Sequence, residues 1–196
     1  MINCNILLFD DFETLDALGP AEIFGKLNDD YNLEYFSLNG GIVTSAQNLR
    51  IDTVNASEMN GEYILLVPGG QGTRTLVNDA AFLAMLKDKA QNAKYMLTVC
   101  TGSGLVAKTG IMKGKKATSN KKAFDWAANN DSEVDWIKKA RWVVDGNLYS
   151  SSGVSAGMDM AFGFIADMQG LEKAEDLAAR IEYIWNKDKD DDPFAI

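Results

Sequence analysis

Short apolar runs alternate with amphipathic stretches along this chain, and that alternation predicts strands separated by helices. Asn3–Phe9, Tyr63–Val67 and Tyr95–Val99 are apolar nearly throughout and read as buried strands, with Leu33–Leu38 a further strand. Pro68-Gly69-Gly70 stops the second of the buried runs. Helical spacing covers Leu15–Leu27, where Pro20 marks a start or a kink, and Asp79–Gln91, where Phe82, Leu83 and Leu86 share a face. Gly102–Thr109, Lys121–Asn129 and Ser155–Met168 also read as helices, and so does Lys173–Trp185, with Leu177, Ile181 and Ile184 on its apolar side. Ile42–Ala46 and Leu49–Val54 can pair as a hairpin. Ala140–Val144 and Leu148–Ser151 flank Asp145-Gly146-Asn147, a strong hairpin turn. Lys116–Thr118 completes the set. The order predicts one α/β domain over residues 1–196, with a mostly parallel sheet flanked by helices on both faces. In such sheets ligands bind beyond the carboxyl ends of the strands. The loops after Phe9, Val67 and Val99 are therefore the ones to read for chemistry.

Composition narrows that chemistry. The 196 residues carry a net charge of −9, which disfavours nucleic acid and anionic membrane as partners. No apolar stretch reaches the length of a membrane span, and the first strand is too short and too soon acidic for a signal peptide. Cys4 and Cys100 lie far apart, which fits free thiols in a reducing cytoplasm. Lys187–Asp192 reads as a solvated tail. The chain has no histidine. A Ser-His-Asp or Cys-His arrangement within it is impossible, and the usual metal constellations lose their commonest ligand. Acid–base work falls to Asp, Glu, Lys, Tyr or a perturbed Cys, and no metal or cofactor is expected.

Val99-Cys100-Thr101-Gly102-Ser103-Gly104 has the shape of a nucleophile elbow: a strand runs into a cysteine, then into a helix start built of small residues. A helix start would favour the thiolate. A buried, inert cysteine at a strand end fits the local pattern equally. The three glycines of Pro68-Gly69-Gly70-Gln71-Gly72-Thr73 suit either an oxyanion site or a flexible turn. A phosphate loop is disfavoured, because the lysine and the glycine spacing are missing. Asp16 is a lone acid among apolar residues, either a helix cap, which the local pattern favours, or one of a pair. Ser150–Ser152 can cap a helix or line a pocket. The four tryptophans read as core or interface.

Together, Phe9-Asp10-Asp11-Phe12, Leu15-Asp16-Ala17-Leu18-Gly19-Pro20, Val67-Pro68-Gly69-Gly70, Val99-Cys100-Thr101-Gly102 and Gly153–Asp159 resemble the ThiJ/PfpI superfamily, in the family's order and over nearly the whole chain. Its fold is flavodoxin-like, of the class I glutamine amidotransferase type. The combination is most similar to the isonitrile hydratase branch, in Asp16, the Val-Cys-Thr-Gly elbow and the closing Asp192-Pro193-Phe194. The resemblance implies Cys100 as nucleophile, Asp16 as the carboxyl that bonds its sulfur and shuttles a proton, and Gly70 and Thr101 as backbone N–H donors to the reacting group. It also implies a small-molecule substrate and a homodimer. Relatives often carry histidine where Asn120 stands, and the protease members carry one where Thr101 stands, so protease activity is disfavoured. The expected activity is hydration of isonitriles. The alternatives are a cysteine-oxidation sensor, a cofactor-free glyoxalase or deglycase, and a binding protein that keeps only the fold.

Overall fold

The computed structural model describes residues 1–195. Its main sheet has eight strands in the order β3-β4-β2-β1-β5-β6-β10-β9. These are β1 (Ile2–Leu7), β2 (Tyr31–Ser37), β3 (Gly41–Thr44), β4 (Arg50–Asn55), β5 (Tyr63–Val67), β6 (Tyr95–Val99), β9 (Trp142–Asp145) and β10 (Leu148–Ser151). The six inner strands pair in parallel, and antiparallel hairpin strands β3 and β9 close the two edges. Every residue of β5 is buried, as an apolar run covered on both faces requires.

Helices supply the covers. α1 (Thr14–Gly25), α6 (Ala156–Gln169) and α7 (Leu171–Arg180) pack together, with α6 touching both of the others. α2 (Thr73–Leu76), α3 (Ala80–Asn92) and α5 (Phe124–Ala128) pack around α4 (Gly102–Lys108). Short β7 (Lys116–Ala117) and β8 (Asp135–Trp136) form a separate parallel pair.

Three features depart from the sequence reading. The helix expected over 121–129 splits into a 3-10 turn, Lys121–Ala123, and the five-residue α5. The last helix ends at Arg180, and Ile184, expected on its apolar face, is 95% exposed. The Lys187–Asp192 tail is not simply solvated. The Lys189 carbonyl accepts the N–H groups of Arg141 at 2.8 Å and Trp142 at 3.2 Å, so the backbone docks against the start of β9. Asp192 is 3% exposed and lies 3.8 Å from the Arg141 guanidinium. An acidic run reads as a solvated face because its single buried partner sits far away in sequence.

Candidate active site

Strands β1, β5 and β6 are adjacent and parallel, so the chain leaves all three at one edge of the sheet. That topology brings Asp16, the Gly69-Gly70 turn and Cys100 together. Cys100 follows β6 with φ = +57°. A left-handed conformation costs a non-glycine residue about 1–2 kcal/mol. It persists here because both peptide groups of the elbow are held. The Cys100 N–H donates to the carbonyls of Ser151 at 3.3 Å and Ser152 at 3.2 Å. The Cys100 carbonyl accepts the Ser103 and Ser119 hydroxyls, each at 2.9 Å. Gly102 must be glycine, because a Cβ there would sit 2.4 Å from the Val67 carbonyl oxygen. The elbow read from small residues is therefore present, and its tightness is set by the close approach of α4 to the end of β5.

Asp16 lies in the first turn of α1, fully buried, and does not cap the helix. Its Oδ2 accepts the Gly69 N–H at 3.0 Å. Its Oδ1 is buried without a donor in full hydrogen-bond geometry. The Cys100 thiol is the neighbouring side chain that interacts with this carboxyl as a donor. Burial pushes the Asp16 pKa up to about 7; the Gly69 N–H opposes the rise, the Glu13 charge adds to it, and the Cys100 thiol opposes it.

Cys100 is 6% exposed. Burial, and then the Asp16 charge, push its thiol well above the ordinary cysteine value. The Thr101 backbone N–H and the Asn120 side chain both donate toward the sulfur and pull the other way. The thiolate preference expected from the helix start is thus outweighed by desolvation. At neutral pH the pair rests as a thiol beside a carboxyl poised to gain or lose a proton, and the two groups titrate as a unit.

Asn120 supplies a contact that the local sequence does not announce. Its Oδ1 accepts the backbone N–H groups of Lys122 at 3.0 Å and Ala123 at 3.1 Å. The amide orientation is thereby fixed, and Nδ2 must face the sulfur side. A Cβ on Gly153 would lie 2.1 Å from that nitrogen, so the glycine makes room for it.

Gly70 and Thr101 meet at the same place. Gly70 has φ = +125°, open only to glycine, and its N–H donates to Thr101 Oγ1 at 3.1 Å. Thr73 Oγ1 lies 3.2 Å from the same hydroxyl. The Thr101 side chain thus ties the β5 loop to the elbow, while its backbone N–H serves the sulfur; the Gly70 N–H, expected to face the reacting group, is instead engaged by the Thr101 hydroxyl. A cavity of about 360 Å³ opens over Cys100, lined by Gly70, Arg74, Thr101, Asn120 and Val154. A second cavity of about 460 Å³ shares Asn120 and Val154 and is bounded by Ser152 and, from the docked tail, Phe194. Cys4, fully buried with its pKa pushed up to about 12 by desolvation, has no part in the site.

Comparison with known proteins identifies the family. The DJ-1/PfpI family model matches residues 3–167. The chain belongs to the DJ-1/PfpI family. It is 30% identical to an isonitrile hydratase of Pseudomonas putida over 93% of the chain and 78% of that protein. It is 28% identical to a deglycase of Thermococcus kodakarensis over 74% of the chain and 87% of that protein. Among solved structures, a ThiJ/PfpI family protein from Pseudomonas syringae matches with TM-score 0.85 and 30% identity, covering 93% of this chain and 75% of that one. DJ-1beta of Drosophila melanogaster shares the fold with TM-score 0.77 at 20% identity, covering 94% of this chain and 99% of that one. The expected flavodoxin-like, amidotransferase-type fold is confirmed. The family includes enzymes of more than one activity.

Proposed function

We propose that this DJ-1/PfpI protein hydrates isonitriles to N-substituted formamides, with Cys100 as nucleophile and Asp16 as proton shuttle. The observation that carries the reading is the buried Asp16 carboxyl, its pKa near neutrality, beside an unionised Cys100 in a chain without histidine. The 30% identity to an isonitrile hydratase supports it.

The proposed mechanism runs through successive proton transfers at Asp16. The Asp16 carboxylate takes the thiol proton as sulfur attacks the terminal isonitrile carbon, so the thiolate never has to exist as a free buried anion. Asp16 returns that proton to the same carbon and leaves a covalent thioimidate. Water then adds to this carbon, with Asp16 accepting its proton and passing it to nitrogen. As the C–S bond breaks, Asp16 takes the hydroxyl proton of the carbinol and gives it to the departing sulfur, so the carbonyl forms, the formamide leaves and the thiol is restored; the net change is the addition of one water. The Thr101 N–H and the Asn120 amide stabilise charge on sulfur during attack and departure, and the Gly70 N–H positions Thr101. A thiol pushed upward by burial also argues against an oxidation sensor, which works through an exposed thiolate. The homodimer implied by the resemblance is kept as part of this reading, and sedimentation equilibrium tests it.

The deciding experiment is incubation with p-nitrophenyl isocyanide and detection of the formamide by mass spectrometry. No formamide from the wild type, with lactate formed from methylglyoxal instead, would move the protein to the glyoxalase reading. Asp16→Asn is expected to lose about 10²–10⁴-fold in turnover. The wild-type rate should rise with pH through about 7, as the carboxylate forms, and the variant should lose that limb. Stability should move oppositely. Because the Asp16 pKa is raised from 3.8 to about 7 on folding, its contribution is full below 3.8 and lost as pH climbs to about 7. Denaturant titrations at pH 5 and pH 8 should show Asp16→Asn gaining on wild type at the higher pH.

A further inference from the structure

Arg74 is an arginine without an acidic partner in a chain of 28 acids and 19 bases. Among the described residues it joins no ion pair. Its hydrogen bond to Thr73 Oγ1 is long, at 3.4 Å. Its guanidinium carbon lies 3.5 Å from the ring centre of Trp126, on helix α5, and is braced there. Arg74 lines the same cavity as Cys100; burial lowers its pKa, and a charge on Cys100 would raise it. Lys122 lines that cavity as well. The acid that also lines the cavity, Glu13, has its Oε1 taken by the Gln47 amide at 2.9 Å. A partly desolvated, oriented and unpaired guanidinium beside a nucleophile matches a planar carboxylate, which its fork can bind with two parallel hydrogen bonds.

We propose that Arg74, braced on Trp126 and assisted by Lys122, forms an anion subsite, and that the substrate of Cys100 is a small organic carboxylate. The electrophile on that substrate rests on the isonitrile reading above; the anion subsite does not. The cavity of about 360 Å³ suits a compact molecule, with the carboxylate at Arg74 and the reacting carbon at the sulfur. Trp126 then acts as a positioning residue for Arg74.

The subsite can be tested without any turnover. Cys100 is alkylated with iodoacetate and with iodoacetamide, reagents of nearly equal size that differ in charge, and modification at Cys100 is followed by mass spectrometry. Any change in sulfur reactivity affects both reagents, so their rate ratio isolates anion binding. Arg74→Met keeps an apolar group on Trp126, and Arg74→Lys keeps the charge. The iodoacetate-to-iodoacetamide ratio is expected to fall about 10-fold in Arg74→Met, to be partly retained in Arg74→Lys, and in wild type to fall with added salt. A ratio unchanged in Arg74→Met overturns the subsite. A second arm compares isocyanoacetate with its methyl ester. In Arg74→Met, kcat/KM for the acid should drop at least about 10-fold more than for the ester. Equal losses would assign Arg74 a merely structural role. If wild type hydrates neither compound, the isonitrile reading falls while the alkylation ratio still decides the anion subsite.

Discussion

Cys100→Ala is expected to lower the proposed isonitrile hydration by at least about 10³-fold while leaving the fold intact. The size of the effect follows from the mechanism. Without sulfur there is no covalent intermediate, and Asp16 is left to activate water toward a carbon that no nucleophile has captured. Cys100→Ser should fare little better. A hydroxyl is a poorer nucleophile than a thiol, and a carboxyl with pKa about 7 is too weak a base to ionise it. Quenched single-turnover reactions analysed by intact mass check this directly, since wild type should carry an adduct of the isonitrile on Cys100 and neither variant should. Full activity in Cys100→Ala would refute the mechanism. The backbone adds a second, independent expectation. Position 100 has φ = +57°, so Cys100→Gly should be more stable than Cys100→Ala by about 1 kcal/mol, although both lose the sulfur. Equal chemical denaturation midpoints would mean that the elbow relaxes when its side chain is removed. Cys100 is thus held at a conformational cost that the Ser103 and Ser119 hydroxyls and the Ser151 and Ser152 carbonyls offset.

What the sequence discloses here is what local pattern can carry. The apolar runs set the central strands, because a strand covered on both faces has little choice of residue. Cys100 is legible because a strand, a cysteine and a run of small residues admit few other geometries. Asp16 is legible because an acid between apolar neighbours needs a reason, although the local pattern alone favours the wrong one, a cap. The site's remaining parts are contacts between segments distant in sequence. Asn120 looks like an ordinary turn residue; its orientation follows from two N–H groups just downstream, and its target from where the sheet delivers Cys100. Arg74 and Trp126 belong to different helices, and nothing in either segment names the other. The tail hides its docking for the same reason. Asp192 is one aspartate in an acidic run until the fold sets it beside Arg141.

That buried cluster is where the largest change in stability is expected. Arg141 is 6% exposed and Asp159 1%. Arg141 Nε donates to Asp159 Oδ2 at 2.7 Å, while Asp159 Oδ1 accepts the Tyr183 hydroxyl and the Asn186 N–H, each at 3.1 Å. One cation therefore serves two buried carboxylates, Asp159 and Asp192, and the second has an oxygen with no hydrogen-bond partner at all. Removing the guanidinium strands Asp159 and leaves Asp192 only the charge of Lys121, with which it forms no ion pair, so Arg141→Met should cost about 3–5 kcal/mol of unfolding free energy. The cost should depend on pH in a definite direction. Burial already raises the Asp159 pKa against the pull of Arg141. Without the guanidinium it rises further, so stability is retained where Asp159 is protonated and lost as pH increases. The deficit of Arg141→Met should be larger at pH 8 than at pH 5 in urea titrations. Asp159→Asn placed on Arg141→Met should recover part of the loss, because the neutral amide no longer demands the cation. If the double variant is less stable than the single by the full cost of Asp159→Asn in wild type, the two residues are uncoupled and the cluster is only packing. The consequence reaches the active site through the tail. Asp192 Oδ1 accepts the Phe194 N–H at 3.0 Å, and Phe194 bounds the cavity next to Cys100. Loosening Arg141 should therefore raise KM for bulky aryl isonitriles more than for small ones, with alkylation of Cys100 by iodoacetamide little changed.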